Sequence, residues 1–192
     1  MKFAIADPPY LGRAKIWYGQ KMRKSQKGIK FGGTSKVNYK PADFNENAEI
    51  WDNIKTHKNL IEKLENEYDG FALCMAHDNL QKLLPFCKPN IKIMIWHKWS
   101  IPSRSRIQNR FEPVLIRIPK SLKGAVKGQT MPDVLTWQMR TKSDFAGAKP
   151  KEWTYWVLDA MGVDKDDEIE DLFIGSGAVT QAINDYKKER FN

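Results

Sequence analysis

The sequence predicts an α/β domain built on a reduced, mainly parallel sheet, and three observations point there. Five short, mostly apolar runs have the near-continuous hydrophobicity of strands covered on both faces. They alternate with segments whose apolar residues recur at helical spacing. Two of the runs end in turn-forming sequence, DPPY and GSG, and in sheets of this class ligands bind at the carboxyl ends of strands.

The first strand is Lys2–Ala6. After it comes a basic region, 11–45, whose stretch KGIKFGGTSK is too rich in glycine to favour a helix. Asn47–Glu67 reads as an amphipathic helix, broken near Thr56, with Ile50, Ile54, Leu60, Ile61 and Leu64 on its packed side. Gly70–Met75 is the second strand, followed by a short helix from Asp78, a plausible N-cap, to Phe86, with Pro89 beyond its end. Ile91–Trp96 and Pro113–Ile118 are the next strands. Lys149–Met161 is a helix with Pro150 in its first turn, Trp153, Trp156, Val157 and Ala160 on one face, and Gly162 as its C-cap. The last strand, Glu168–Phe173, runs into the glycine turn, and a final helix, Ala178–Arg190, carries Val179, Ile183 and Tyr186. No internal repeat or linker divides the 192 residues, so one domain is expected over 1–192.

The formal net charge is +9, and it is unevenly spread. Leu11 to Lys40 holds nine Lys or Arg and no acid, and Lys98 to Lys127 holds eight against the lone Glu112. The acids gather in Glu46 to Asp69 and in DKDDEIED. Segregation of this kind suits a polyanionic partner, because solvated faces of ordinary helices mix the signs. Cys74 and Cys87 lie in apolar surroundings without metal-ligand spacing, so they read as core thiols in a reducing compartment. No apolar run reaches the roughly 18 residues of a membrane span, and a cytoplasmic location is expected.

Three short stretches carry the chemistry. In Asp7-Pro8-Pro9-Tyr10, the prolines fix the backbone and leave carbonyls free to face a ligand, so that a carboxylate and a carbonyl form two acceptors for an amino group. The second, Asp171-Leu172-Phe173-Ile174-Gly175-Ser176-Gly177, allows close approach of a ligand to the backbone at a helix N-terminus. The third, Phe145-Ala146-Gly147-Ala148-Lys149-Pro150, leads into the helix before the glycine strand. Taken singly, each is equally a turn or a capped helix.

In this order and spacing the three resemble the beta group, the permuted class, of amino-directed DNA methyltransferases, which methylate adenine N6 or cytosine N4 with S-adenosylmethionine. The resemblance runs from Lys2 to about Ala182, and YDGFAL, the WH pair, FEPV, DVLT and GAKPKEW look most similar to short methyltransferase-like proteins of bacteriophages. It implies a Rossmann-like methyltransferase fold. It further implies that Asp7 and the Pro8 carbonyl, with Pro9 shaping the turn, hold the target amino group while Tyr10 stacks on a flipped base. It implies that Phe145, Gly147, Lys149 and Pro150 face the methionine end of the cofactor, and that Asp171, Phe173, Gly175, Ser176 and Gly177 form its main binding loop. Adenine N6 is the preferred target, since the DPPY form is commoner among adenine enzymes of the family.

Members of the family continue past the glycine loop with two more strands, the first ending in an acid that grips the cofactor ribose. Here one helix follows. Fewer contacts, a carboxylate from elsewhere or from a second subunit, or loss of catalysis to leave a nucleic-acid binder would each account for that. Candidate DNA contacts are Arg13, Lys15, Trp17, Tyr18, Lys21, Arg23 and Lys24 in the basic region, and Arg104, Arg106 and Arg110 in the second basic arm, with RNA as the alternative partner. The alternative for Trp17 and Tyr18 is packing back on the core. His57 reads as a surface helix residue, and His97, after a strand end, either lines the base pocket or is structural.

Overall fold

The computed structural model describes residues 1–19, 46–98, 106–122, 130–137 and 148–191. Its centre is a six-stranded sheet of β1 (Lys2–Ala6), β2 (Gly70–Cys74), β3 (Lys92–His97), β4 (Phe111–Arg117), β5 (Val134–Thr136) and β6 (Glu168–Asp171) in the order β5-β3-β4-β2-β1-β6. β1 is parallel to both neighbours, β2 and β6, and β3 is parallel to β5, whereas β4 runs antiparallel to β2 and β3. Five strands therefore share one direction and only β4 opposes it, in keeping with the mainly parallel sheet expected.

The chain leaves β1 toward β2 on one side and later returns to place β6 on the other. β1 is thus where the order of connections reverses, the place where open α/β sheets open a crevice at their carboxyl ends.

Alternation along the strands splits the core in two. Phe3, Ile5, Ala72, Cys74, Met94, Trp96, Val114 and Ile116 face α4 (Lys151–Met161) and α5 (Ala178–Phe191). Ala4, Ala6, Phe71, Leu73, Met75 and Leu115 face α2 (Ile54–Glu67) and α3 (Leu80–Leu83). Both faces of β1 and β2 are buried, which is why those strands read as unbroken apolar runs.

Several elements differ from the sequence reading. The amphipathic segment is a 3-10 turn, Ala48–Asp52, followed by α2, and the break falls at Asn53, whose side chain accepts from the Lys55 N–H as an N-cap. Ile50 and Ile54 consequently face out, at 53% and 42% exposure. His57 is buried rather than on the surface; its Nε2 lies 2.8 Å from the Trp51 carbonyl, and burial lowers its pKa. A short helix, α1 (Ala14–Tyr18), forms within the basic region because Asp52 accepts from the N–H groups of Ala14 and Lys15 at 2.9 and 3.0 Å. β5 is an edge strand that three residues were too few to announce. Pro150 is the N-cap of α4, so Lys149 and Pro150 precede that helix, and Gly162 ends it in the left-handed region at φ +69°.

At the start of β2, a Cβ on Gly70 would stand 2.8 Å from the Phe3 ring and 3.0 Å from the Arg117 carbonyl oxygen. Gly70→Ala is expected to cost about 1–3 kcal/mol, because backbone on one side and a packed ring on the other leave nothing to yield. A lower urea midpoint at an unchanged m-value would register that loss.

Candidate active site

The turn after β1 places Asp7, with Tyr10 bound back to it: the Tyr10 hydroxyl lies 3.1 Å from Asp7 Oδ1 and 3.1 Å from Glu112 Oε2. One hydroxyl proton therefore serves two carboxylates. The same hydroxyl oxygen accepts from Lys149 Nζ at 3.1 Å. The Lys149 ammonium also pairs with Asp7 Oδ2 at 2.9 Å and Glu112 Oε2 at 3.2 Å, and Lys98 pairs with Glu112 Oε1. Three rings surround that ammonium, Tyr10, Trp96 and Trp153, with centroids 5.6, 5.5 and 5.7 Å away.

These residues come from distant parts of the chain, and the sheet brings them together. Asp7 follows β1; Glu112 is in β4, paired with Trp96 of β3; Lys98 follows β3; Lys149 sits just before α4. All lie at the carboxyl end of the parallel strands, on the face covered by α4 and α5.

Burial and charge set their protonation. Burial alone would raise the Glu112 carboxyl, but the ammonium groups of Lys149 and Lys98 overcome it and hold the acid at about 2. Burial would lower Lys149, yet Asp7 and Glu112 hold it well above its ordinary value. Lys98 is lowered by burial, with Lys149 adding to the effect. The Tyr10 hydroxyl is pushed well up by burial and then by the Asp7 and Glu112 charges, so it remains a donor.

Asp7 retains capacity as an acceptor: Oδ1 accepts from Tyr10, Oδ2 pairs with Lys149, and each carboxylate oxygen can accept two hydrogen bonds. Pro8 is buried, and among the described residues its carbonyl accepts no hydrogen bond. The turn thus offers two adjacent acceptors.

The glycine turn stands beside it. Ile5 of β1 is in register with Asp171 of β6, so the two turns leave neighbouring strands roughly 5 Å apart. Asp171 shapes its own loop by accepting from the Phe173 N–H at 3.2 Å and the Thr180 hydroxyl at 2.7 Å. Phe173 packs edge-on against Trp51, with ring centroids 5.0 Å apart. Gly175 and Gly177 have φ of +48° and +76°; a Cβ on Gly177 would meet nothing within 4 Å, and one on Gly175 only the Phe173 carbonyl at 3.7 Å. Ser176 is exposed, and its Oγ caps the Ala178 N–H at 3.4 Å. The turn therefore faces open space, with the N-terminus of α5 behind it. A cavity of about 250 Å³ lies alongside, lined by Ala148, Lys149, Pro150 and Lys151 before and at the start of α4 and by Ala178, Gln181, Ala182 and Asp185 of α5.

Of the other expected residues, Phe145, Gly147, Lys21, Arg23, Lys24 and Arg104 lie outside the described residues. His97 is on the opposite face of the sheet from Glu112, with its Nδ1 3.3 Å from Thr136 Oγ1. Arg13 pairs with Asp78 at 3.0 Å and Lys15 with Glu49 at 2.7 Å, whereas Arg106 and Arg110 are exposed. Trp17 is 47% exposed; Tyr18 is half-buried, and burial followed by the Asp7 charge raises its hydroxyl. Glu112 and Lys98 were not among the candidates. A lone acid in a basic stretch was the signal for Glu112, but only the pairing of β4 with β3 shows that it faces inward. Among the described residues no cluster of His, Cys, Asp and Glu is arranged to hold a metal ion, and no helix is long and apolar enough to cross a membrane.

No protein-family model and no curated protein matches the chain. Among solved structures, the crystal structure of the M1.HpyAVI-SAM complex is similar, with a TM-score of 0.58 at 16% sequence identity over 97% of this chain and 78% of that one. The chain has the Rossmann-like α/β fold of a methyltransferase.

The low Glu112 value fixes a pH dependence. Its contribution to stability is fully present above the unfolded value near 4.5 and is lost as pH falls through about 2. Urea midpoints are expected to drop between those limits in the wild type. Glu112→Gln is expected to lose about 3–5 kcal/mol at neutral pH, by leaving Lys98 buried beside no carboxylate, and to show a smaller further drop in acid.

Proposed function

We propose that the protein is an S-adenosylmethionine-dependent DNA methyltransferase of the amino-directed beta group, acting on adenine N6. The observation that carries the reading is the juxtaposition of the Asp7–Pro8 acceptor pair with the open glycine turn at the carboxyl ends of adjacent strands, β1 and β6. The similar solved structure, a complex with SAM, supports the choice of cofactor. The proposed relatives are the short phage methyltransferase-like proteins, and the proposed compartment is the cytoplasm of a bacterial host.

S-adenosylmethionine supplies an electrophilic methyl group on a sulfonium centre. Gly175, Ser176, Gly177 and the first turn of α5 would hold the cofactor, whose methionine end would meet Lys149, Pro150 and the cavity beside them. An exocyclic amine is a weak nucleophile because its lone pair is delocalised into the base. Asp7 and the Pro8 carbonyl accept its two hydrogens, which favours a pyramidal nitrogen and aims its lone pair. Asp7 is also the acceptor for the proton the nitrogen must release. Tyr10 stays fixed by Asp7, Glu112 and Lys149, and its half-buried ring forms one wall of the place where a flipped base would stack. Trp17, Arg106 and Arg110 are exposed and would meet the DNA backbone and bases.

A second reading, nucleic-acid binding without catalysis, is favoured by one observation. β6 is the edge of the sheet, and among the described residues no strand beyond it offers an acid to a cofactor ribose.

Asp7→Ala is expected to reduce transfer of a labelled methyl group to DNA by roughly 10²–10³-fold at saturating cofactor. Nucleoside digestion of the product should place the label on adenine N6. Full activity in a folded Asp7→Ala protein would end the assignment, and label on cytosine N4 would change the target.

A further inference from the structure

Glu112 stands behind the groups assigned above rather than among them. Its Oε2 receives Tyr10 and Lys149, at 3.1 and 3.2 Å, and its Oε1 receives Lys98. Lys98 is 6% exposed, so it is a dedicated partner rather than a surface cation. Among the described residues of this cluster, two carboxylates, Asp7 and Glu112, balance two ammonium groups, Lys98 and Lys149.

We infer that Glu112, held from behind by Lys98, is a positioning residue that fixes Tyr10 and Lys149 against Asp7 and keeps the site electrically neutral for a sulfonium ligand. The inference rests on the methyltransferase reading. A cationic sulfonium and the neutral thioether left after methyl loss have nearly the same shape, and the net charge of the wall they meet decides which is favoured. With Glu112 present the wall is neutral. Without it the two ammonium groups exceed Asp7 by one charge, and a cation entering beside Lys149 is opposed at low dielectric. Glu112 itself remains ionised throughout the neutral range. Its second effect is geometric: Tyr10 and Lys149 lose a shared anchor when it is removed.

The test compares wild type, Glu112→Gln and the double variant Lys98→Met/Glu112→Gln by calorimetric titration with S-adenosylmethionine and with S-adenosylhomocysteine, alongside steady-state kinetics on DNA. In Glu112→Gln, affinity for the sulfonium ligand is expected to fall roughly tenfold and affinity for the thioether less than about twofold. The double variant removes one charge of each sign, so the ratio of the two affinities should return to within about twofold of wild type. Its kcat should remain at least roughly tenfold down with the KM for DNA unchanged, because the anchor is still missing. If Glu112→Gln does not fold, the double variant carries the test through that combination of wild-type ratio and reduced kcat. An affinity ratio identical in wild type and Glu112→Gln, or wild-type kcat in the double variant, overturns the inference and leaves the methyltransferase reading standing. A wild type that binds neither ligand overturns both.

Discussion

The Lys149 ammonium, held between Asp7 and Glu112 with 4% of its side chain exposed, is the contact on which the arrangement at the top of the sheet depends. A buried cation is costly unless paired and hydrogen-bonded, so Lys149 and its two carboxylates must keep company. They belong to different elements: the turn after β1, the start of β4 and the approach to α4. Lys98 extends the constraint to the end of β3. Four parts of the chain are thereby held in one geometry, with Tyr10, Trp96 and Trp153 as walls that keep bulk water away from the ammonium. A network of this kind adds little net stability compared with apolar packing, but it specifies orientation.

Orientation is what the proposed chemistry needs. Asp7 has one oxygen turned to Lys149 and the other to Tyr10, which fixes the plane of its carboxylate beside the Pro8 carbonyl, which accepts no hydrogen bond among the described residues. Parallel pairing of β1 with β6 then sets the distance from these acceptors to the glycine turn. Asp171 folds that turn from within, through the Phe173 N–H and the Thr180 hydroxyl, so the glycines can face outward in a left-handed conformation. The switch point supplies the crevice, and the charge network supplies its precise inner surface.

Much of this was legible in the sequence. Core strands buried on both faces leave unbroken apolar runs, so β1 and β2 were found within a residue. Glycine and proline mark backbone constraints that no other residue satisfies, which is why the DPPY and GSG turns stood out and why Gly162 was read correctly as a cap. What escaped depends on contacts distant in sequence. Glu112 is a polar residue in a strand until the β3–β4 register turns it inward, and His57 is a polar residue on a helix until Trp51 folds beneath it. α1 is stabilised by Asp52, 38 residues from Ala14, and nothing local announces it. Arg13 and Lys15 looked like free cations because Asp78 and Glu49, their partners, lie far along the chain.

The most direct measurement is a calorimetric titration of the folded protein with S-adenosylmethionine, with and without Gly175→Asp. The account predicts saturable binding by the wild type. It also predicts loss of that binding in the variant, where a side chain and a negative charge occupy the open left-handed turn while circular dichroism stays unchanged. No binding by the wild type at millimolar ligand, with or without DNA, or equal binding by a folded Gly175→Asp protein, would contradict it.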